Sequence, residues 1–151
     1  MFKLLIDCPD RDSEFHLASR IVAGQSPEAV LESGQVAPVV SMDELAGLGA
    51  MLNQITLKPE LIAYVVDLVR RTREHPSILV GAGPRATNAM LMASRAKAAL
   101  SERDFVTPDD IRDVAQPILG HRLILRPEYE IEGLSIEETV SNILAEVAVP
   151  R

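Results

Sequence analysis

Ile78-Leu79-Val80-Gly81-Ala82-Gly83-Pro84-Arg85-Ala86 is the stretch around which the rest of the chain falls into order. A short apolar run passes through two glycines into a helix-forming segment that lasts to Ser101. Glycine permits a tight turn, Pro84 suits a first helical position, and Arg85 then falls in the first turn. A helix N-terminus already carries partial positive charge, so an arginine there gains nothing from the macrodipole. An anion in front of it makes the placement favourable. The residues alone leave Arg85 evenly balanced between such an anion and a surface salt bridge, which contributes little.

Outward from this motif, the composition points to packed helices. The chain has 151 residues, 47% of them hydrophobic, which suffices for a core in one compact domain or in one small domain with extensions. Aromatics make up only 3% and there is no tryptophan, so that core is aliphatic, and the fold class is mainly α. A net charge of −7 argues against a nucleic-acid partner, which needs a concentrated basic surface. The single cysteine excludes an internal disulfide. Neither a signal peptide nor a spanning run of about 20 apolar residues is present, and the expected location is the cytoplasm.

Before the motif, Phe2 to Cys8 reads as a buried strand with no partners downstream, as though its sheet lay in sequence upstream. Cys8 is then a buried, inert thiol. Asp10 caps a helix from Arg11 to Ala23 whose face carries Phe15, Ala18, Ile21 and Val22, with Gly24 as the stop. Residues 25–40 read as a connector, with room for one helical turn over Glu28 to Glu32. Ser41 and Glu44 form a capping box ahead of Leu45, Leu48 and Leu52. Lys58-Pro59 opens a third helix, with Leu61, Val65, Leu68 and Thr72 in one stripe, widened by Ile62, Val66 and Val69. It stops at His75-Pro76.

After the motif, Ala86, Ala89, Met90, Ala93 and Leu100 are read as the inward face of the fourth helix. Phe105-Val106 reads as a tiny strand paired with Ile78 to Val80. Thr107-Pro108-Asp109-Asp110 starts a fifth helix bearing Ile111, Val114, Ala115, Ile118 and Leu119, with Pro117 as a candidate kink. An acidic loop follows Arg126-Pro127. A second capping box, Ser135 with Glu138, opens a last helix to Val147.

Self-sufficient nucleotide chemistry is missing. None of Lys3, Lys58 and Lys97 is followed by Ser or Thr, so the chain holds no phosphate-cradling P-loop. His16, His75 and His121 are far apart in sequence and no cysteine pair accompanies them, so no metal site is expected. The basic run Arg70, Arg71 and Arg73 has its simplest explanation as cations in the last turn of a helix. The residues assign no role to it, nor to His75 or His121.

Four segments, Thr72-Arg73-Glu74-His75-Pro76, Gly81 to Ala86, Phe105 to Ile111 and His121-Arg122-Leu123-Ile124-Leu125, occur in an order and spacing that resemble the MoxR family of AAA+ ATPases. The resemblance covers nearly the whole chain and matches the C-terminal part of that family. It implies a mainly α helical lid bundle with very short β pairing. Residues 1–9 then hold the residual last strand of the αβα core and a hinge, and residues 10–151 the lid.

The resemblance also implies a role for the opening motif. Arg85 matches the arginine of the second sensor motif, which reaches the γ-phosphate of ATP bound on the core, and Gly81, Ala82, Gly83 and Pro84 are the accompanying cofactor-binding residues. Gly83 stands where the family usually has Ser, a departure that weakens the helix cap by a few tenths of a kcal/mol. ATP and Mg²⁺ are implied for the full-length protein, with no cofactor for this chain alone. The implied partners are its own AAA+ core, neighbouring subunits of a ring such as a hexamer, and a von Willebrand factor A domain protein. The implied activity is chaperone-like remodelling driven by ATP hydrolysis. The alternative is a stand-alone helical interaction module that uses its apolar faces without nucleotide.

Overall fold

The computed structural model describes residues 2–150. Helices dominate: α1 (Arg11–Val22), α2 (Pro27–Glu32), α3 (Met42–Met51), α4 (Pro59–Glu74), α5 (Pro84–Leu100), α6 (Pro108–Leu119), α7 (Pro127–Ile131) and α8 (Ile136–Glu146). Two short strands, β1 (Ile78–Val80) and β2 (Ile124–Leu125), form an antiparallel pair that brings Ile78 opposite Leu125 and Val80 opposite Ile124. This is the mainly α class with very short β pairing.

The helix starts follow local chemistry. Asp10 accepts from the Ser13 amide at 2.8 Å and caps α1. In the pairs Ser41 with Glu44, Thr107 with Asp110, and Ser135 with Glu138, the backbone amide of the acid donates to the hydroxyl and the backbone amide of the cap residue donates to the carboxylate, the capping box. Gly24 ends α1 with φ +76, a conformation that side-chain-bearing residues rarely adopt. Two short helices lie within stretches that read as connector and loop, the first over the turn open to Glu28 to Glu32. α2 is capped by Ser26 and begins at Pro27, and α7 begins at Pro127. In both, a proline with preset φ and an acid in the first turn suffice to start one or two turns.

The chain divides into two compact units. One runs from Leu48 to the end of the described residues and takes in residues 2–4; the other is Leu5–Gly47.

The core lies in the first unit. Leu61, Tyr64, Val65, Leu68, Val69 and Thr72 of α4 are buried with Ile111, Val114, Ala115, Ile118 and Leu119 of α6 and Val140 and Ile143 of α8. α6 continues through Pro117 to Leu119. In α5 the buried row is Ala86, Met90, Ser94 and Ala98, four residues apart. Small side chains in that row let α5 lie close to α6, against which it makes its main packing. Leu100 falls off this row and is 85% exposed, while Ile62 and Val66 sit at the edge of the buried face of α4 and stay partly in solvent.

Phe105 does not join β1. It bridges Thr56 instead, through Thr56 N–H to Asp104 O at 2.7 Å and Val106 N–H to Thr56 O at 3.0 Å. The partner of β1 is β2, supplied by Leu123-Ile124-Leu125, whose alternate residues Leu123 and Leu125 are buried.

In the second unit no residue of α1 or α2 is buried. Phe15, Leu17, Ile21, Val22 and Leu31 are exposed, so the apolar face of α1 is present but uncovered. Residues 2–9 form no strand within this chain. Cys8 is exposed rather than buried, because the sheet assumed to cover it is not supplied by the described residues.

Candidate functional site

The site is assembled where the C-terminal turn of α4, strand β1 and the first turn of α5 meet. α4 ends at Glu74, and His75-Pro76-Ser77 reverses the chain into β1. Ser77 is buried; its carbonyl accepts the Arg126 amide at 2.9 Å, and its hydroxyl bonds the His75 ring Nδ1 at 2.8 Å. The motif then leaves β1 and passes directly over the end of α4.

Gly81 marks the point of contact. A Cβ built at this position would lie 2.6 Å from Arg73 Cγ and 2.7 Å from both Arg73 Cα and Thr72 O, distances that no side chain tolerates. The next residue, Ala82, is buried and donates its amide to Thr72 Oγ1 at 2.9 Å. Thr72 is itself buried and donates its hydroxyl to Val69 O at 2.6 Å.

Gly83 is the N-cap of α5, with extended backbone and no side-chain cap. Pro84 follows at the first helical position, and no acidic residue occupies the first turn. Arg85 is exposed, and among the described residues it makes no hydrogen bond or ion pair. The surface salt bridge that could explain its position is therefore not formed. A helix N-terminus without a carboxylate cap, bearing an exposed guanidinium, has the electrostatics of half an anion site.

The basic run of α4 separates into different roles. Arg70 lies 3.9 Å from Glu74 in an exposed pair, whereas Arg71 Nε donates to Glu146 at 2.7 Å and ties α4 to α8. His75 Nε2 lies 3.9 Å from the same Glu146. Arg73 is exposed, forms no ion pair among the described residues, and lays its stem against Gly81. The structure thus brings Arg73 to the loop that carries Arg85, while Arg70, Arg71 and His75 serve the junction of α4 with its own end and with α8. His121 is exposed after α6; partial desolvation of the ring and the neighbouring Arg122 hold it below the usual imidazole range. Among the described residues no three His, Cys, Asp or Glu side chains converge on a possible metal position. No helix among them is long and apolar enough to cross a membrane.

The helical spacing puts Thr72 on the buried stripe of α4, but its bond to Ala82 is not evident from the sequence. Its position at the end of an otherwise aliphatic stripe was the available signal, since a buried hydroxyl needs partners.

Comparison with protein families matches residues 70–145 to the AAA lid domain. The chain belongs to that family. The matched span holds the end of α4, the β1–α5 loop and all the elements up to α8, so Gly81 to Arg85 lies within the lid domain proper. Over 150 residues the chain is 33% identical to YeaC of Bacillus subtilis, covering 99% of this chain and 45% of that protein. It is 27% identical over 160 residues to the chaperone MoxR1 of Mycobacterium tuberculosis, covering 100% of this chain and 40% of the relative. A crystal structure of a protein assigned as an ATPase, from Cytophaga hutchinsonii, superposes with a TM-score of 0.79 at 30% identity, over 100% of this chain and 47% of that one. The lid domain is of the MoxR type, within the AAA+ ATPases. The chain spans less than half the length of these relatives.

Proposed function

We propose that this lid domain completes the ATP site of a MoxR-type AAA+ ATPase and that Arg85 is its γ-phosphate sensor. The observation that carries the reading is the exposed guanidinium of Arg85 in the first turn of a helix that lacks both a side-chain cap and an acid. These features fit the half of a phosphate site that a lid would contribute. The planar fork of arginine donors matches phosphate oxygens, and the α5 N-terminus favours negative charge. Gly81, Ala82, Gly83 and Pro84 supply the backbone that sets Arg85 at the surface. ATP with Mg²⁺, held by a nucleotide-binding core, would provide the scissile phosphoanhydride bond.

In this reading residues 1–9 are the exit from that core, with the hinge around Cys8 to Asp10, and residues 10–151 are the lid. Loss of the γ-phosphate would release Arg85 and free the lid to rotate, coupling nucleotide state to chaperone-like remodelling. The exposed apolar side chains of α1 and α2 suit packing against the core or a neighbouring subunit of a ring. A von Willebrand factor A domain protein is the further partner proposed, and the cytoplasm the compartment.

Titrating ATP into the full-length ATPase, with one fluorophore on the core and one on α5, tests the reading. Nucleotide-dependent transfer that disappears with Arg85→Ala supports it. A stand-alone interaction module gives no lid movement and no dependence on Arg85.

A further inference from the structure

We infer that Thr72 is a positioning residue for the sensor loop: its hydroxyl, with the absent side chain of Gly81, fixes the backbone from which Arg85 projects. This rests on the sensor role proposed for Arg85. Thr72 is completely buried at the end of α4. Donating to Val69 O uses its proton, and the oxygen is left to accept the Ala82 amide at 2.9 Å. Ala82 is 1% exposed, so water is not available to replace that acceptor. The neighbouring residue adds an independent constraint, since any Cβ at Gly81 would meet Arg73 Cα and Thr72 O at 2.7 Å.

Consecutive residues of the loop are thus held to α4 by one hydrogen bond and one close backbone contact. On the other side, β1 is held to β2 through Ile78 opposite Leu125. Arg85 lies three residues beyond the Thr72 bond, on the first turn of a helix whose Ala86 is buried. A long side chain that must meet a phosphate on a separate domain depends on where its base is fixed. Small misplacement at such a site costs rate even when the reacting group is intact.

The test compares Thr72→Val, Thr72→Ser, Gly81→Ala, Arg85→Ala and the Thr72→Val/Arg85→Ala double variant in the full-length ATPase. Two readouts are used: kcat and KM for ATP, and hydrogen–deuterium exchange of the peptide containing Ala82. Thr72→Val keeps the volume but leaves the Ala82 amide without its acceptor. Exchange of that peptide is expected to accelerate roughly tenfold or more, and kcat to fall by about tenfold. Thr72→Ser restores both to within about threefold, because it returns the acceptor. Gly81→Ala keeps the hydroxyl yet shifts the loop, and lowers kcat to a similar degree. The double variant is no slower than Arg85→Ala alone, since Thr72 acts through Arg85.

Wild-type kcat in Thr72→Val, alongside a slow Arg85→Ala enzyme, overturns the positioning role and leaves the sensor reading standing. So does a double variant slower than Arg85→Ala by a further factor of ten, which would mean that Thr72 acts independently. An Arg85→Ala enzyme with wild-type kcat overturns both readings.

Discussion

The guanidinium of Arg103 grips the carboxylate of Asp110 through two bonds, Nη1 to Oδ2 at 2.8 Å and Nη2 to Oδ1 at 2.6 Å. The same carboxylate accepts the Thr107 amide and hydroxyl at 2.8 and 2.9 Å, so one buried acid closes the turn after α5 and caps α6. Arg103 Nη1 also donates to Phe105 O, and its guanidinium lies over the Phe105 ring at 5.8 Å from the centroid. Asp110→Ala removes the centre of this arrangement and leaves a partly buried cation unpaired. Chemical denaturation should show a loss of about 2–3 kcal/mol, with Asp110→Asn in between.

The same pair predicts an acid response. Burial pushes the Asp110 carboxyl up, but the Arg103 guanidinium and the Thr107 donors outweigh it and hold the group below the usual carboxylate range. A carboxylate depressed in the folded state contributes its full stability above the unfolded value, about 4, and loses it as pH falls through the folded value. Stability measured from pH 6 down to pH 2 should therefore drop more steeply in the native protein than in Asp110→Asn.

The cap of α5 offers a prediction of opposite sign. Gly83 has extended backbone, φ −95 and ψ −179, which any residue adopts, and nothing lies within 4 Å of a Cβ placed there. Gly83→Ser should supply the missing side-chain acceptor and raise stability by a few tenths of a kcal/mol. Thermal unfolding of the two proteins side by side checks this.

Within the basic run, the ion pairs predict unequal effects. Arg71→Ala breaks the 2.7 Å bond to Glu146 and should cost about 0.5–1 kcal/mol, less at high salt. Arg70→Ala loses only an exposed pair at 3.9 Å and should change stability by no more than a few tenths. Urea titrations at low and high salt separate the two.

Much of the first unit was legible because its signals are local. Capping boxes, Pro at first helical positions and the stripes of α4, α6 and α8 each fix an element without reference to its neighbours. What escaped was set by long-range choice. Phe105-Val106 and Leu123-Ile124-Leu125 are both short apolar runs, and only tertiary placement decides that β1 pairs with the second. The segments of α1 and α3 are helical as their spacing indicates, yet Phe15, Ile21, Leu45 and Leu48 are exposed in this chain. Of the site, the order of glycines, proline and arginine could be read directly. The Thr72–Ala82 bond could not, since it joins residues ten apart through a turn whose path the sequence does not specify.

In the proposed reading the exposed guanidinium of Arg85 senses the γ-phosphate of ATP. Steady-state ATP turnover of the full-length ATPase with Arg85→Ala tests it most directly, with circular dichroism as the control for folding. With the sensor contact removed, kcat should fall by roughly a hundredfold while helix content is unchanged. Turnover equal to that of the unmodified enzyme would contradict it.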